Sequence, residues 1–197
     1  GNGRDNRLDG SGNSAANAFS GGLGNDTYRL GVGESVVENS GEGVDTVVLA
    51  QGAAGTYSIS SYANVENMQL EDALGLSDLL GDPGNNKLTG NRQNNTLSGD
   101  AGDDEILDGA TAQLDADRLH GGAGNDRLIS SSGADLLDGG TGDDTLIGSG
   151  DVTVVFGRGY GADTWAAAGA NANRRVLFDA SRSEEHTSEL QSLRHLV

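Results

Sequence analysis

Residues 121–147 read GGAGNDRLISSSGADLLDGGTGDDTLI, which divides into three consecutive units of nine residues. The sixth residue of each unit is an aspartate (Asp126, Asp135 and Asp144), and a leucine follows two residues later each time. The fourth residue is always glycine. A nine-residue period with a fixed phase predicts a repeat architecture, because a flexible glycine-rich linker has no reason to keep this spacing.

The same unit extends on both sides of this stretch and can be written Gly-Gly-x-Gly-x-Asp-x-U-x, where U is a large apolar residue. Asn86 and Asn95 take the sixth place in two consecutive units. Thr153 takes it in the unit 148–156, where the pattern decays. Aspartate takes it in a run of five consecutive units and in three units outside that run: Asp104, Asp117, Asp126, Asp135 and Asp144, then Asp26, Asp45 and Asp163.

One such unit has the chemistry of a turn followed by a short strand. Its first six residues tolerate left-handed backbone angles, and its last three alternate, so that U faces inward. Two units, about 18 residues, complete one coil, and stacked coils pair their strands in parallel at about 4.8 Å. We therefore predict an all-β fold, a parallel β-roll or β-solenoid of stacked nonapeptide repeats. The predicted stacks are Asp104 over Asp126, Asp117 over Asp135, and Asp126 over Asp144.

Stacked carboxylates repel one another, and one apolar residue per unit makes too thin a core to offset that repulsion. A calcium ion between the turns removes it, because Ca²⁺ binds roughly six to eight carboxylate and carbonyl oxygens with tolerant geometry. Magnesium demands stricter geometry, and zinc and copper prefer imidazole or thiolate. An isolated aspartate would only cap its own turn, but the shared phase favours metal binding.

The predicted calcium ligands are the eight sixth-place aspartates and the glycines of the same turns, which expose their carbonyl oxygens. These glycines are Gly99, Gly102, Gly121, Gly122, Gly124, Gly133, Gly139, Gly140 and Gly142. Asn86 and Asn95 are expected to be turn residues or weak neutral ligands, so the coil from 81 to 98 is expected to bind calcium poorly.

The composition limits the classes of function. The chain has 197 residues, 33 of them glycine, and its formal net charge is -18 with only 12 Lys and Arg. Such an acidic chain is not expected to bind nucleic acid, because phosphate contacts need basic side chains. No apolar run reaches the roughly 20 residues of a membrane-spanning helix, and the lack of cysteine excludes disulfides and thiolate metal sites.

Over residues 12–29 and 81–147 the unit GGxGxDxUx resembles the calcium-binding nonapeptide of the repeats-in-toxin family, also called haemolysin-type calcium-binding repeats. The stretch 156–164 is similar to a motif that often follows such arrays. The resemblance implies a β-roll, extracellular calcium binding, and secretion from a Gram-negative bacterium in the unfolded state by a one-step, type I machinery. It also implies partners beyond calcium: the secretion machinery, and an extracellular polysaccharide or a host surface.

We divide the chain into five stretches. They are the end of a first repeat array (1–30), a strand-rich spacer continuing the β-roll (31–80), a second calcium-binding array (81–166), a closing strand region (167–181) and a tail (182–197). Residues 182–192 resemble a translated sequencing adapter, so the tail is treated as non-native. The chain begins inside the repeat pattern, and we expect it to be a fragment. Residues 166–173 are expected to form a loop or a short helix.

The sequence carries no catalytic motif. It contains no H-E-x-x-H of a zinc protease and no G-x-S-x-G nucleophile elbow. We therefore expect that the fragment is not an enzyme but a structural, secretion-assisting β-roll that binds calcium. Two alternatives stay open, namely an ancillary C-terminal module of a secreted hydrolase or polysaccharide-modifying enzyme, and an adhesin repeat region.

Overall fold

The computed structural model describes residues 1–12, 15–109, 115–157, 159–167 and 174–178, and within them the chain forms short strands and no α-helix. The strands are numbered β1 to β18 in chain order. The odd-numbered strands form one sheet in which all neighbours are parallel. They are β1 (Arg7–Asp9), β3 (Thr27–Leu30), β5 (Thr46–Leu49), β7 (Asn67–Leu70), β9 (Lys87–Thr89), β11 (Glu105–Leu107), β13 (Arg127–Ser130), β15 (Thr145–Gly148) and β17 (Thr164–Ala167).

The even-numbered strands lie on the other side of the coil and are also parallel. A two-stranded ladder joins β2 (Ala18–Phe19) and β4 (Ser35–Val36). The second large sheet contains β6 (Thr56–Ser58), β8 (Asp78–Leu80), β10 (Thr96–Ala101), β12 (Arg118–Ala123), β14 (Leu136–Thr141), β16 (Thr153–Phe156) and β18 (Arg175–Phe178). Two 3₁₀ helices, Ile59–Ser61 and Asp72–Leu74, lie in the connections. Because the chain alternates between the two sides, the predicted all-β, parallel β-roll is confirmed.

The U residues form the core as two inward rows, one per sheet. The register brings them into line, since Ile106 pairs with Leu128 and Leu128 pairs with Leu146. Each member of the two rows is no more than 1% exposed: Tyr28, Val47, Met68, Leu88, Ile106, Leu128 and Leu146, and opposite them Leu79, Leu97, Leu119, Leu137 and Val154. Full burial of such a side chain is worth about 1.5–3 kcal/mol, so the rows supply the apolar part of the stability.

The coils between residues 27 and 80 have a wider core than the regular repeats. Leu30, Leu49 and Leu70 form an additional inward row, and each is no more than 3% exposed. In the next coil Gly90 takes the equivalent place, because Gln69 pairs with Thr89. Apolar residues thus replace the first glycine of the repeat on this side of the coil, and the core there depends less on turn chemistry.

The turn before β16 is one residue shorter than the nonapeptide predicts. Val154 pairs with Leu137, so Val152 and not Thr153 takes the sixth place. The prediction for Thr153 was wrong because counting nine residues from Gly148 cannot detect a deletion inside the turn. Val152 is 1% exposed, and a Cβ added to Gly148 would lie 2.7 Å from its Cγ2. An apolar side chain therefore fills the place that a carboxylate takes in the preceding turns.

The last strands correct a second expectation. Ala166 and Ala167, placed by the sequence in a loop or a short helix, pair with Ile147 and Gly148 in β17. The rest of that segment, 168–173, lies outside the described residues, and so does the tail 182–197. None of the described segments is a helix with the length and hydropathy that crossing a membrane requires.

Candidate metal centre

The sixth-place side chains stack in two columns at the turns that lead into the strands. The long column precedes the odd-numbered strands: Asn6, Asp26, Asp45, Glu66, Asn86, Asp104, Asp126, Asp144 and Asp163. The short column precedes β10, β12 and β14: Asn95, Asp117 and Asp135. All eight predicted aspartates belong to these columns, and the seven other than Asp163 are no more than 3% exposed.

One carboxylate oxygen of each stacked aspartate accepts a backbone hydrogen bond from the neighbouring coil. The N–H of Asp104 donates to Oδ1 of Asp126, and the N–H of Asp126 donates to Oδ1 of Asp144, both at 2.8 Å. In the short column the N–H of Asp117 donates to Oδ1 of Asp135, also at 2.8 Å. These contacts confirm the three predicted stacks.

The second carboxylate oxygen is buried and has no hydrogen-bond partner in five of these aspartates: Asp26, Asp104, Asp117, Asp126 and Asp144. Asp135 differs, because the Ser130 hydroxyl donates to its Oδ2. A buried acceptor without a partner costs about 1–3 kcal/mol, and more when it is charged. The columns therefore contain a regular series of buried carboxylate oxygens without a hydrogen-bond partner, to which a cation or a proton can bind.

Burial opposes the charge of these carboxylates in the absence of metal. It raises the pKa of Asp104 and Asp117 to about 7 and the pKa of Asp126, Asp135 and Asp163 to about 6. Neighbouring carboxylates add to the effect, Asp126 in the case of Asp104. A bound cation would act in the opposite direction, since it stabilises the ionised form.

Glycines in the first place of the repeat leave room around the unpaired oxygens. A Cβ added to Gly99 would lie 2.0 Å from Oδ2 of Asp104, and one added to Gly139 would lie 2.1 Å from Oδ2 of Asp144. Three of the predicted glycines have this position, namely Gly99, Gly121 and Gly139, and so does Gly21 beside Asp26. Any side chain there would displace the carboxylate, so the glycines keep a cradle of oxygen atoms open.

Glycines in the fourth and second places bring the backbones of successive turns together. A Cβ on Gly124 would lie 2.0 Å from the carbonyl oxygen of Gly102, and one on Gly142 would lie 1.9 Å from that of Gly124. The remaining predicted glycines also have positive φ: Gly122 and Gly140 in the second place, and Gly133 in the fourth. Carbonyl oxygens are thereby stacked in the same turns as the carboxylates, and their role as calcium ligands stays a prediction.

The side-chain amides of Asn86 and Asn95 find hydrogen-bond acceptors within the protein. Nδ2 of Asn86 donates to the carbonyl oxygen of Glu66 at 3.2 Å, and Nδ2 of Asn95 donates to that of Ser77. An amide thus supplies the donor that a carboxylate lacks, which agrees with the expectation that these turns bind calcium poorly.

The nine-residue spacing of the repeat did not reveal Glu66, which belongs to the long column, or Asp115, which lies beside the short column. Oε2 of Glu66 accepts the N–H of Asp45 at 2.8 Å and so continues the long column. Glu66 stands two residues before the core residue Met68, which is the spacing of every sixth-place aspartate and could have revealed it. Asp115 is 6% exposed, and neither of its carboxylate oxygens has a hydrogen-bond partner. It lies in the unit 109–120, which is three residues longer than the repeat, so the nine-residue frame gives no guidance there.

Two groups of three buried carboxylates could hold a metal ion. In each group one oxygen per residue lies within 4.8 Å of the others, and the groups are Asp115, Asp117 and Asp135, and Asp26, Glu38 and Asp45. Such all-oxygen donor sets fit a hard divalent cation such as calcium. They do not fit zinc or copper, since the chain has no cysteine, and the half-exposed His120 pairs with Asp138 at 3.5 Å.

Comparison with protein-family models relates the repeats of this chain to a described family. A family model described as an RTX calcium-binding nonapeptide repeat in four copies matches residues 80–107 and 112–151. Neither the comparison with curated proteins nor the comparison with solved structures found a match to the chain.

Proposed function

Because residues 80–107 and 112–151 match the family model of RTX calcium-binding nonapeptide repeats, we propose that calcium bound between the turns of the chain drives its folding. The ligands are the aspartates of the long and short columns, with carbonyl oxygens of the turn glycines. The observation that carries this proposal is the unpaired, buried Oδ2 of Asp104, Asp126 and Asp144 in successive coils.

The mechanism is a linkage between metal binding and folding. Without metal the columns place like charges together in a chain of net charge -18, and the free energy of folding is unfavourable. Calcium binds only the folded arrangement, so its binding free energy stabilises the fold. Extracellular calcium modules have dissociation constants of about 10⁻⁴–10⁻³ M, so the chain stays unfolded in a cytosol and folds outside the cell.

This linkage gives the chain a role in secretion. A β-roll that remains unfolded until it meets extracellular calcium can pass through the type I machinery of a Gram-negative bacterium and then fold. We propose that the chain is secreted and that its part is structural and not catalytic. The alternatives, a module of a secreted enzyme and an adhesin repeat region, differ in what the roll binds besides calcium. A glycan array probed with the calcium-loaded chain tests the adhesin alternative, because the absence of binding favours a purely structural role.

Circular dichroism of the full chain tests the proposal. We expect β-structure to appear as the calcium concentration is raised from zero to roughly a few times 10⁻³ M, and to disappear when a chelator is added. Magnesium at the same concentration is the control and should be far less effective, because it retains its waters. Equal β-content with calcium and with chelator would refute the proposal.

A further inference from the structure

The turn that leads into β5 differs from the regular turns in its first residue. Val36 pairs with Phe19, so Glu38, two residues later, takes the place that Gly21 has in the coil before it. The N–H of Gly21 donates to Oε1 of Glu38 at 3.0 Å, which confirms that the two residues face each other. A glutamate therefore stands where the repeat has glycine, and its side chain enters the space that glycine leaves open.

Glu38 is buried beside two aspartates of the long column. It is 6% exposed, and Asp26 and Asp45 are each 1% exposed. Oε2 of Glu38 and Oδ2 of Asp26 have no hydrogen-bond partner, and one oxygen from each of the three residues lies within 4.8 Å of the others. No ion pair among the described residues involves any of the three. Three buried carboxylates thus converge with two unsatisfied oxygens and no cationic side chain.

We propose that Asp26, Glu38 and Asp45 form a three-carboxylate calcium site, different in kind from the sites between two stacked aspartates. It lies outside the residues that match the family model, and it rests on the proposed function only in that the turns bind calcium. The third carboxylate adds one negative charge to the site, and ligand charge is a main determinant of calcium affinity. The site therefore fills at lower calcium than the sites formed by two stacked aspartates alone, and it fixes the turns before β3 and β5.

The chemistry also favours calcium over magnesium. Magnesium is usually held by one or two carboxylates and keeps several waters. Here three buried carboxylates surround the candidate site. The buried hydroxyl of Tyr28 lies beside it and accepts a hydrogen bond from the N–H of Gly21 at 2.7 Å. A cation that gives up its waters and accepts irregular oxygen ligands fits this space.

Tyr28 supplies a local readout, because a tyrosine ring beside a bound terbium ion sensitises its luminescence. The experiment uses the full chain carrying Trp165→Phe, which removes sensitisation by the tryptophan near Asp163. Terbium is first bound to the chain and then displaced by titration with calcium. The part of the terbium luminescence that Tyr28→Phe abolishes comes from this site, so its loss on adding calcium measures the calcium affinity there. Glu38→Gln should weaken calcium at this site by about tenfold or more. Glu105→Gln is the matched control, since it removes the same charge from an exposed ion pair with Lys87, and it should change nothing.

A second variant guards against loss of folding. Glu38→Gly restores the regular first residue, and it should weaken the site as Glu38→Gln does while circular dichroism shows full β-structure in saturating calcium. The inference is overturned if both variants keep the wild-type affinity at the Tyr28-sensitised site, even though the wild-type chain binds calcium. If the wild-type chain itself neither binds calcium nor gains structure, the proposed function fails as well, so the two failures are distinguishable.

Discussion

The backbone N–H of Asp104 donates to Oδ1 of Asp126 at 2.8 Å, while Oδ2 of the same Asp126 side chain is buried without a partner. Asp126 donates its own N–H to Asp144 one coil further on. One aspartate therefore joins three successive coils, and a cation bound at its unpaired oxygen would stabilise the contacts on both sides.

Replacing Asp126 should reduce the number of calcium ions linked to folding, whereas replacing Asn86 should not. Asp126→Ala removes a ligand from two adjoining turns, so the slope of unfolding free energy against the logarithm of calcium concentration should fall. Asn86→Ala loses protein hydrogen bonds worth about 1 kcal/mol each, so the free energy of unfolding should fall by the same amount at every calcium concentration and the slope should not change. Urea unfolding at several calcium concentrations measures both quantities. Equal slopes for the two variants would mean that the assigned register does not define the sites.

Replacing three aspartates of the long column by asparagine should make the fold less dependent on calcium. In Asn86 and Asn95 the side-chain amide donates to a carbonyl oxygen of the preceding coil. The triple variant Asp104→Asn, Asp126→Asn and Asp144→Asn should acquire the same hydrogen bonds and lose the charge repulsion. We expect more β-structure than wild type in chelator and a smaller gain on adding calcium, both measured by circular dichroism. A triple variant that stays unfolded in chelator would contradict this.

Acid should fold the calcium-free chain. The folded-state pKa of Asp104 and Asp117 is about 7, whereas an unfolded aspartate has a pKa of about 3.9. The folded state therefore holds these protons more tightly, and the stability they contribute is complete below about pH 4 and is lost as pH rises through about 7. Circular dichroism in calcium-free buffer should show β-structure falling over that range. Saturating calcium should restore it at about pH 8, because calcium binds the ionised carboxylates. A calcium-free chain that gains β-structure as pH rises would disprove the assignment.

The stacking register could be predicted from the sequence because two independent residue types share one phase. The aspartates at the sixth place can stack in the turns, and the apolar residues two places later can stack in the core, only if units two apart along the chain lie over each other. The stack of Asp104 on Asp126 and the pairing of Ile106 with Leu128 follow from that single condition.

The departures could not be predicted because they occur where the turn changes length. The turn from Glu38 to Asp45 spans eight residues, two more than the six-residue turn of the repeat, so a search in nine-residue steps passes over Glu38. The turn before β16 is shorter, and the same step places Thr153 where the structure has Val152. Strand pairing fixes the register across such turns, while the loop itself absorbs the difference in length. The positions of Glu38, Val152 and Asp115 therefore depend on three-dimensional pairing that the spacing of residues does not contain.

Because successive turns approach each other closely, replacing Gly124 by alanine should destabilise the fold far more than replacing Gly55. Gly124 has φ of 138°, and a Cβ there would lie 2.0 Å from the carbonyl oxygen of Gly102. Gly124→Ala must therefore strain its own backbone and push two turns apart, and we expect a loss of at least about 2 kcal/mol in the free energy of unfolding of the calcium-loaded chain. Gly55→Ala is the matched control, because nothing lies within 4 Å of the added Cβ, and its effect should stay within about 0.5 kcal/mol. Urea denaturation in saturating calcium compares them, and equal stability of the two variants would show that the turns do not stack as closely as the Gly124 contact requires.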